Sequence, residues 1–229
     1  MSKEPDYSYE FYRHHATEYA DWWTANKWDV SNSTHPRLTD MVDLSNRVME
    51  LVPPSARGLD AGCGPGIREF LHYWSAGYDI VGIDAVEENL RVARKRHPDL
   101  ERRLLQADLS RPLDFPDAHF HFIICTTVIQ HIAPDKVMNV TLPEFARVLE
   151  VGGILQMMFK NGKGIATVYD KIYGLDRSFQ LYDPGELLGR LKELGMELVP
   201  DEGDRLGGII YYVDSKGADT CIFFARKVE

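Results

Sequence analysis

From Ser55 onward, short apolar runs alternate with longer amphipathic stretches. A chain patterned in this way buries its segments by laying crossover helices on the faces of a parallel sheet. The runs are Arg57 to Ala61, Asp79 to Asp84, Leu104 to Ala107, the β-branched and aromatic stretch HFHFIICTTVI, and Ile154 to Phe159. Each has the length and composition of a strand. Between the first two, Ile67, Phe70, Leu71 and Trp74 recur at helical spacing. A second helix runs from Val86 to about Arg96 and stops before His97-Pro98, because the residue preceding a proline avoids helical angles. A third spans Lys136 to Leu149, with Gly152 and Gly153 as its stop. Asn161-Gly-Lys-Gly then forces a loop, and an aromatic connection leads to a helix that Asp183 caps and Pro184 starts, ending near Leu194 at Gly195. At the end, GGIIYYV and DTCIFFARK flank Asp214-Ser215-Lys216-Gly217, which reads as a hairpin. The expected fold is α/β: a doubly wound, mostly parallel seven-stranded sheet closed by an antiparallel hairpin.

The 229 residues fit one such domain, with an ordinary 44% hydrophobic and 27% charged content. No repeat or linker divides them; the distinct region is residues 1 to about 45, aromatic-rich and expected to form an N-terminal helical cap. A net charge of −9 removes the long-range attraction that a nucleic-acid-binding protein uses. The first residues carry no apolar signal core, and no stretch reaches the roughly 20 apolar residues that span a bilayer, so the expectation is a cytoplasmic protein without a membrane partner. Cys63, Cys125 and Cys221 are odd in number and widely spaced, the pattern of reduced thiols, and no metal site is indicated. Oligomeric state is not legible in this pattern.

The segment LDAGCGPG closes the first expected strand and opens a helix, and Gly62, Gly64 and Gly66 let a ligand approach the backbone. It departs from the dinucleotide fingerprint, since Ile67 stands at the last glycine position and Asp60 sits at the strand end. A diphosphate is repelled by that carboxylate. S-adenosylmethionine carries an ammonium and a sulfonium, for which the carboxylate is a favourable partner. Asp84 ends the second strand, where an acidic side chain can accept from ribose hydroxyls. Asp108-Leu109 follows the third, where a carboxylate can accept from an adenine amino group while a backbone N–H donates to the ring.

Over residues from about 55 to 227 the order of elements and these motifs resemble the class I S-adenosylmethionine-dependent methyltransferases. The resemblance implies a Rossmann-like methyltransferase fold, S-adenosylmethionine as cofactor with S-adenosylhomocysteine as product, and a cleft at the carboxyl ends of the first four strands. It places Gly62, Gly64 and Gly66 along methionine, Asp84 on ribose, and Asp108 with Leu109 on adenine. Thr126 falls at the family's fourth motif, where Cys125-Thr126-Thr127 departs from the usual acidic or amide residue. Tyr19, in HHATEYAD, is similar to the tyrosine of an N-terminal cap that folds over the cofactor.

His131, just past the fourth strand, is the candidate catalytic base, since an imidazole titrates near neutrality; a packed structural histidine is the competing reading. Gln130 either orients a substrate or caps the loop. Tyr9, Phe11, Tyr12, Tyr19, Trp22, Trp23 and Trp28 either form an aromatic lid or pack an amphipathic helix on the sheet. Lys160, Asn161, Lys163, Tyr169, Tyr173 and Phe179 occupy a long connection where acceptor contacts are common. The expected activity is in-line methyl transfer to O or N of a small-molecule acceptor. The rivals are an RNA or protein methyltransferase on the same core, and a noncatalytic scaffold that keeps the cofactor fold.

Overall fold

The protein is described by a computed structural model covering residues 9–26, 30, 32–214 and 217–229. Trp28 of the expected lid and Ser215-Lys216 of the expected hairpin turn lie outside the described residues. Five strands, β1 (Arg57–Ala61), β2 (Asp79–Asp84), β3 (Leu104–Gln106), β4 (Phe120–Thr126) and β5 (Leu149–Lys160), pair in parallel in the order β3-β2-β1-β4-β5. A separate antiparallel ribbon follows, β6 (Ile165–Asp170) with β7 (Leu175–Gln180). The main sheet is completed by β8 (Met196–Leu198), β9 (Ile209–Val213) and the long β10 (Asp219–Lys227), which runs antiparallel to β5. β9 pairs with the first half of β10 and β8 with its last three residues. The sheet therefore has the expected seven positions but eight strands, because two short strands share the last position.

Among the described residues ten helical elements or turns cover the sheet, of which α1 (Tyr9–Ala25), α2 (Val42–Leu51), α3 (Arg68–Ser75) and α4 (Glu87–Arg96) come first. Strand alternation sends Phe122 and Ile124 to one face and Ile123 and Cys125 to the other. The first face packs against Leu44 and Val48 of α2, Phe70 and Tyr73 of α3, and Leu90 and Ala93 of α4. The second packs against a helical run made of α5 (Pro134–Lys136), a π-helical turn over Val137–Thr141 and α6 (Leu142–Val148), and against Leu187 and Leu191 of α7 (Pro184–Glu193). Asp183 caps α7 by accepting from the Glu186 N–H, as its sequence predicts. Helix α1 stands outside both cores; Ala16 and Ala20, one turn apart, bury themselves on Val92 of α4.

Three local expectations change. The helix before β5 ends at Val148, and Gly152 and Gly153 lie inside β5. Gly152 takes φ +87°, and a side chain on Gly153 would lie 2.8 Å from Leu149 and 3.0 Å from the His121 carbonyl, so these glycines build a bulge in the strand. The fourth strand stops at Thr126, because Thr127 turns to φ +57° and Ile129–His131 wind into a 3-10 turn. The aromatic connection after β5 is the β6–β7 ribbon, in which Thr167 pairs with Ser178 and Asp170 with Leu175.

Candidate active site

The strand order reverses between β1 and β4, and a doubly wound sheet opens a crevice at the carboxyl ends of the strands at such a point. A cleft of about 1090 Å³ lies there. It is floored by residues 62–69, walled by Asp84 to Val86 and by Gln106 to Arg111, and bounded on the other side by Thr126 to Val128 and His131 to Ala133. Tyr9, Tyr12, Tyr19 and Trp23 of α1 close its outer side.

The glycines of the loop do different work. Gly62 has φ +91°, and a methyl group there would lie 2.3 Å from Val128 Cγ2, so this position admits the neighbouring β4 loop. Gly64 also has positive φ, but its missing side chain faces nothing within 4 Å. Gly66 faces Trp23 of α1 at 3.8 Å. The loop is anchored to β2: the Gly62 and Cys63 N–H groups donate to the Ile83 carbonyl, and the Gly64 N–H donates to Asp84 Oδ2 at 2.9 Å. Asp84 Oδ1 accepts from the Val86 N–H and from Asn89 Nδ2. Three of the roughly four acceptor positions of this carboxylate are thus taken by the protein.

Asp60 lies behind the loop and is not among the residues lining the cleft. It is 4% exposed, and its Oδ2 has no hydrogen-bond partner among the described residues. Burial, and then the neighbouring Glu69 and Asp84, hold its carboxyl well above the usual carboxylate range. Burial also raises Glu69 and Asp84; the Arg68 guanidinium partly offsets the shift at Glu69, and hydrogen bonds from Val86, Gly64 and Asn89 offset it at Asp84. An orphaned buried carboxylate oxygen beside an open glycine position matches a small cation-bearing ligand, and it opposes a diphosphate.

The other expected site residues, Tyr19, Gly62, Gly64, Gly66, Asp84, Asp108, Leu109, Thr126 and His131, all line the cleft. Asp108 Oδ1 accepts from the Ser110 N–H at 2.8 Å and its hydroxyl at 2.7 Å, closing its own turn, while Oδ2 lies 3.5 Å from Arg111 Nε. Thr126 Oγ1 accepts from Gln156 Nε2. His131 sits on the 3-10 turn after β4, with Tyr12 Oη 3.4 Å from its Nε2 and the Tyr12 ring edge-on to it. Gln130 is buried outside the lining. Lys160, Asn161, Lys163, Tyr169, Tyr173 and Phe179 also fall outside it: Lys160 pairs with Asp214 in the interior, and Lys163 with Glu186 at the surface. The cleft adds Glu69 and Asn89, which sequence reasoning passed over as site residues, and takes Tyr12 from the expected lid aromatics. Asn89 had left a trace, a polar side chain on the buried face that Leu90 and Ala93 share.

Residues 59–157 match a protein family described as a methyltransferase domain. The 2-methyl-6-phytyl-1,4-hydroquinone methyltransferase of Synechocystis is 29% identical over 107 residues, 47% of this chain and 33% of that protein. The match thus spans about a third of the length of that relative. Among solved structures, an S-adenosylmethionine-dependent methyltransferase from Methanosarcina mazei superposes with a TM-score of 0.64 at 20% identity, over 79% of this chain and 96% of that one. The 1,6-didemethyltoxoflavin-N1-methyltransferase of Burkholderia thailandensis, solved with 1,6-didemethyltoxoflavin and S-adenosylhomocysteine, gives 0.65 at 18% identity over 96% and 87%. These two likenesses carry the fold, and the matched domain carries the sequence pattern from β1 into β5. Residues 59–157 thus carry the sequence pattern of a methyltransferase domain, and the chain shares its fold with S-adenosylmethionine-dependent methyltransferases.

Proposed function

We propose that this chain methylates an oxygen or nitrogen of a small molecule, using S-adenosylmethionine. The observation that carries the reading is the size and lining of the cleft: about 1090 Å³ at the switch point, with Tyr12, Tyr19 and Trp23 of α1 along its outer side. Such a volume suits a cofactor and one small acceptor. A nucleic acid would need an open basic groove, and the chain carries −9. Two of the similar proteins act, by their names, on 2-methyl-6-phytyl-1,4-hydroquinone and on 1,6-didemethyltoxoflavin, both small molecules.

Bound S-adenosylmethionine supplies a methyl group already activated by its positive sulfur. In this reading Gly64 and Gly66 leave room for the methionine portion, and Asp60 contributes negative potential behind them. Asp84, with Asn89, faces the ribose, while Asp108 and Leu109 meet the adenine. Tyr19 and Thr126 border the methionine end. The α1 aromatics exclude water and hold the acceptor in line, and positioning of this kind supplies much of the catalysis in a displacement. His131 takes the proton that a hydroxyl or protonated amine must lose.

The test is methyl transfer from S-adenosylmethionine to a panel of phenols, nitrogen heterocycles and amines, run beside transfer RNA and a protein extract. Turnover on a small acceptor, lost in His131→Gln at unchanged cofactor affinity, supports the reading. Turnover confined to RNA, with steep salt dependence, overturns the small-molecule assignment.

A further inference from the structure

Arg177 lies on β7, outside the residues that line the cleft, and its side chain is 4% exposed. Its guanidinium nevertheless reaches both β6 and α1. Nη1 meets Asp170 Oδ2 of β6 at 3.1 Å. Nη2 donates to Tyr12 Oη of α1 at 3.0 Å. The flat face covers the Phe11 ring with Cζ 3.9 Å from its centroid. The Tyr12 hydroxyl is in turn 3.4 Å from His131 Nε2. One buried cation therefore joins the β6–β7 ribbon to α1 and, through a single phenol, to the imidazole in the cleft.

We propose that Arg177 is a positioning residue for His131, acting through Tyr12. The inference builds on the reading of His131 as the proton acceptor. A guanidinium has no acceptor, so the Tyr12 oxygen must accept from Arg177. The phenol's one proton is then left for groups on the far side of its oxygen, which are His131 Nε2 and the Tyr19 hydroxyl that also interacts with Tyr12. A 3.4 Å contact is long for a hydrogen bond; it steers the ring, and catalytic contacts of this kind tighten once ligands fill a site. Lysine at 177 would keep the charge but lose the fork that serves Asp170 and Tyr12 together, and the plane that lies on Phe11.

The full chain, labelled with nitrogen-15 in histidine, reads this coupling without any acceptor. The ring signals of His131 are those absent from His131→Gln. Tyr12→Phe keeps the Arg177–Asp170 pair, and both it and Arg177→Met shift the His131 nitrogens in the same direction, with Arg177→Lys lying between Arg177→Met and wild type. Unmoved His131 signals in Tyr12→Phe overturn the proposal, as does a shift in Tyr12→Phe that neither Arg177 variant reproduces. Should Arg177→Met not fold, Tyr12→Phe and Arg177→Lys decide by the same criteria. Turnover that persists in His131→Gln removes the proton-acceptor reading, and the nitrogen shifts stand apart from that result.

Discussion

Asp84 holds the glycine loop by its edge: the Gly64 N–H donates to its Oδ2 at 2.9 Å, while its Oδ1 accepts from the first residues of the next helical turn. The carboxylate that ends β2 is thus a brace for the loop as well as a wall of the cleft, and its removal is felt twice.

Asp84→Ala leaves the Gly64 and Val86 N–H groups without their acceptor, and such losses cost about 1–3 kcal/mol each when buried. The ligand-free variant melts lower, and calorimetry shows S-adenosylmethionine binding at least about tenfold weaker, equivalent to 1.4 kcal/mol. Wild-type affinity in a variant that melts low would mean that the carboxylate braces the loop and does not face the cofactor.

Gly62 and Gly64 separate folding from binding. Gly62→Ala adds strain at φ +91° and drives a methyl group to 2.3 Å from Val128, so about 2–5 kcal/mol of stability is lost. Gly62→Ala with Val128→Ala recovers part of it. Gly64→Ala meets no atom within 4 Å, melts only slightly lower, and loses cofactor affinity because the new methyl group enters the cleft. Equal melting losses at the two positions would show that backbone strain alone decides both.

Asp60 makes stability depend on pH in a direction unusual for a carboxylate. Burial, Glu69 and Asp84 raise its folded pKa, so between the unfolded value of about 3.9 and the raised folded value the native state binds more protons than the unfolded chain. The contribution is fully present below the unfolded value and is lost as pH rises through the folded one. Asp60→Asn cannot ionise and therefore melts above wild type at neutral pH in the ligand-free state, the difference closing as pH falls toward about 4. The same variant binds cationic S-adenosylmethionine less tightly, with a smaller loss for S-adenosylhomocysteine, which lacks the sulfonium charge. A variant that melts below wild type across the range contradicts the burial of an ionisable Asp60.

Local backbone demands explain which parts of this arrangement were legible in the sequence. The glycine loop, Asp84 and Asp108 stand where a strand ends and a turn begins, and positive φ or a free acceptor at such a point leaves a residue-level mark. One half of the last sheet position was also foreshadowed, in GGIIYYV; the other, Met196–Leu198, is too short to leave a strand pattern, and only pairing with β10 reveals that the two share an edge. The β6–β7 ribbon was hidden because Ile165 and Tyr169 remain exposed on it, and a strand with exposed apolar residues and little core reads as a loop. Gly152 and Gly153 follow a helix closely enough to resemble its stop, and only the register of β5 against β4 shows them as a bulge. Arg177 was illegible for a stronger reason. Its burial depends on Asp170 nearby and on Phe11 and Tyr12 from the opposite end of the chain, so no local window contains the charge and what offsets it.

Helix α1 meets α4 through a contact much smaller than either face of the sheet: Ala16 and Ala20 against Val92, with the surface ion pairs Arg13–Glu88 and Arg96–Asp21 at its margins. Exposed pairs add little, so on this side the small alanines, which let the two helices approach, set how firmly the helix sits, while Arg177 holds Phe11 and Tyr12 on the side of the β6–β7 ribbon. Ala20 is fully buried, and Ala20→Leu overpacks that contact by about 1–3 kcal/mol. Because α1 lies outside the two cores, this cost falls on local opening and not on global unfolding. Hydrogen exchange therefore speeds by about tenfold or more across α1 while the amides of β1 and β4 keep their protection, and S-adenosylmethionine binds more weakly because Tyr19 and Trp23 leave the wall of the cleft. If the strands lose protection together with α1, the helix is an integral part of the folding unit, and the cleft cannot open by moving it alone.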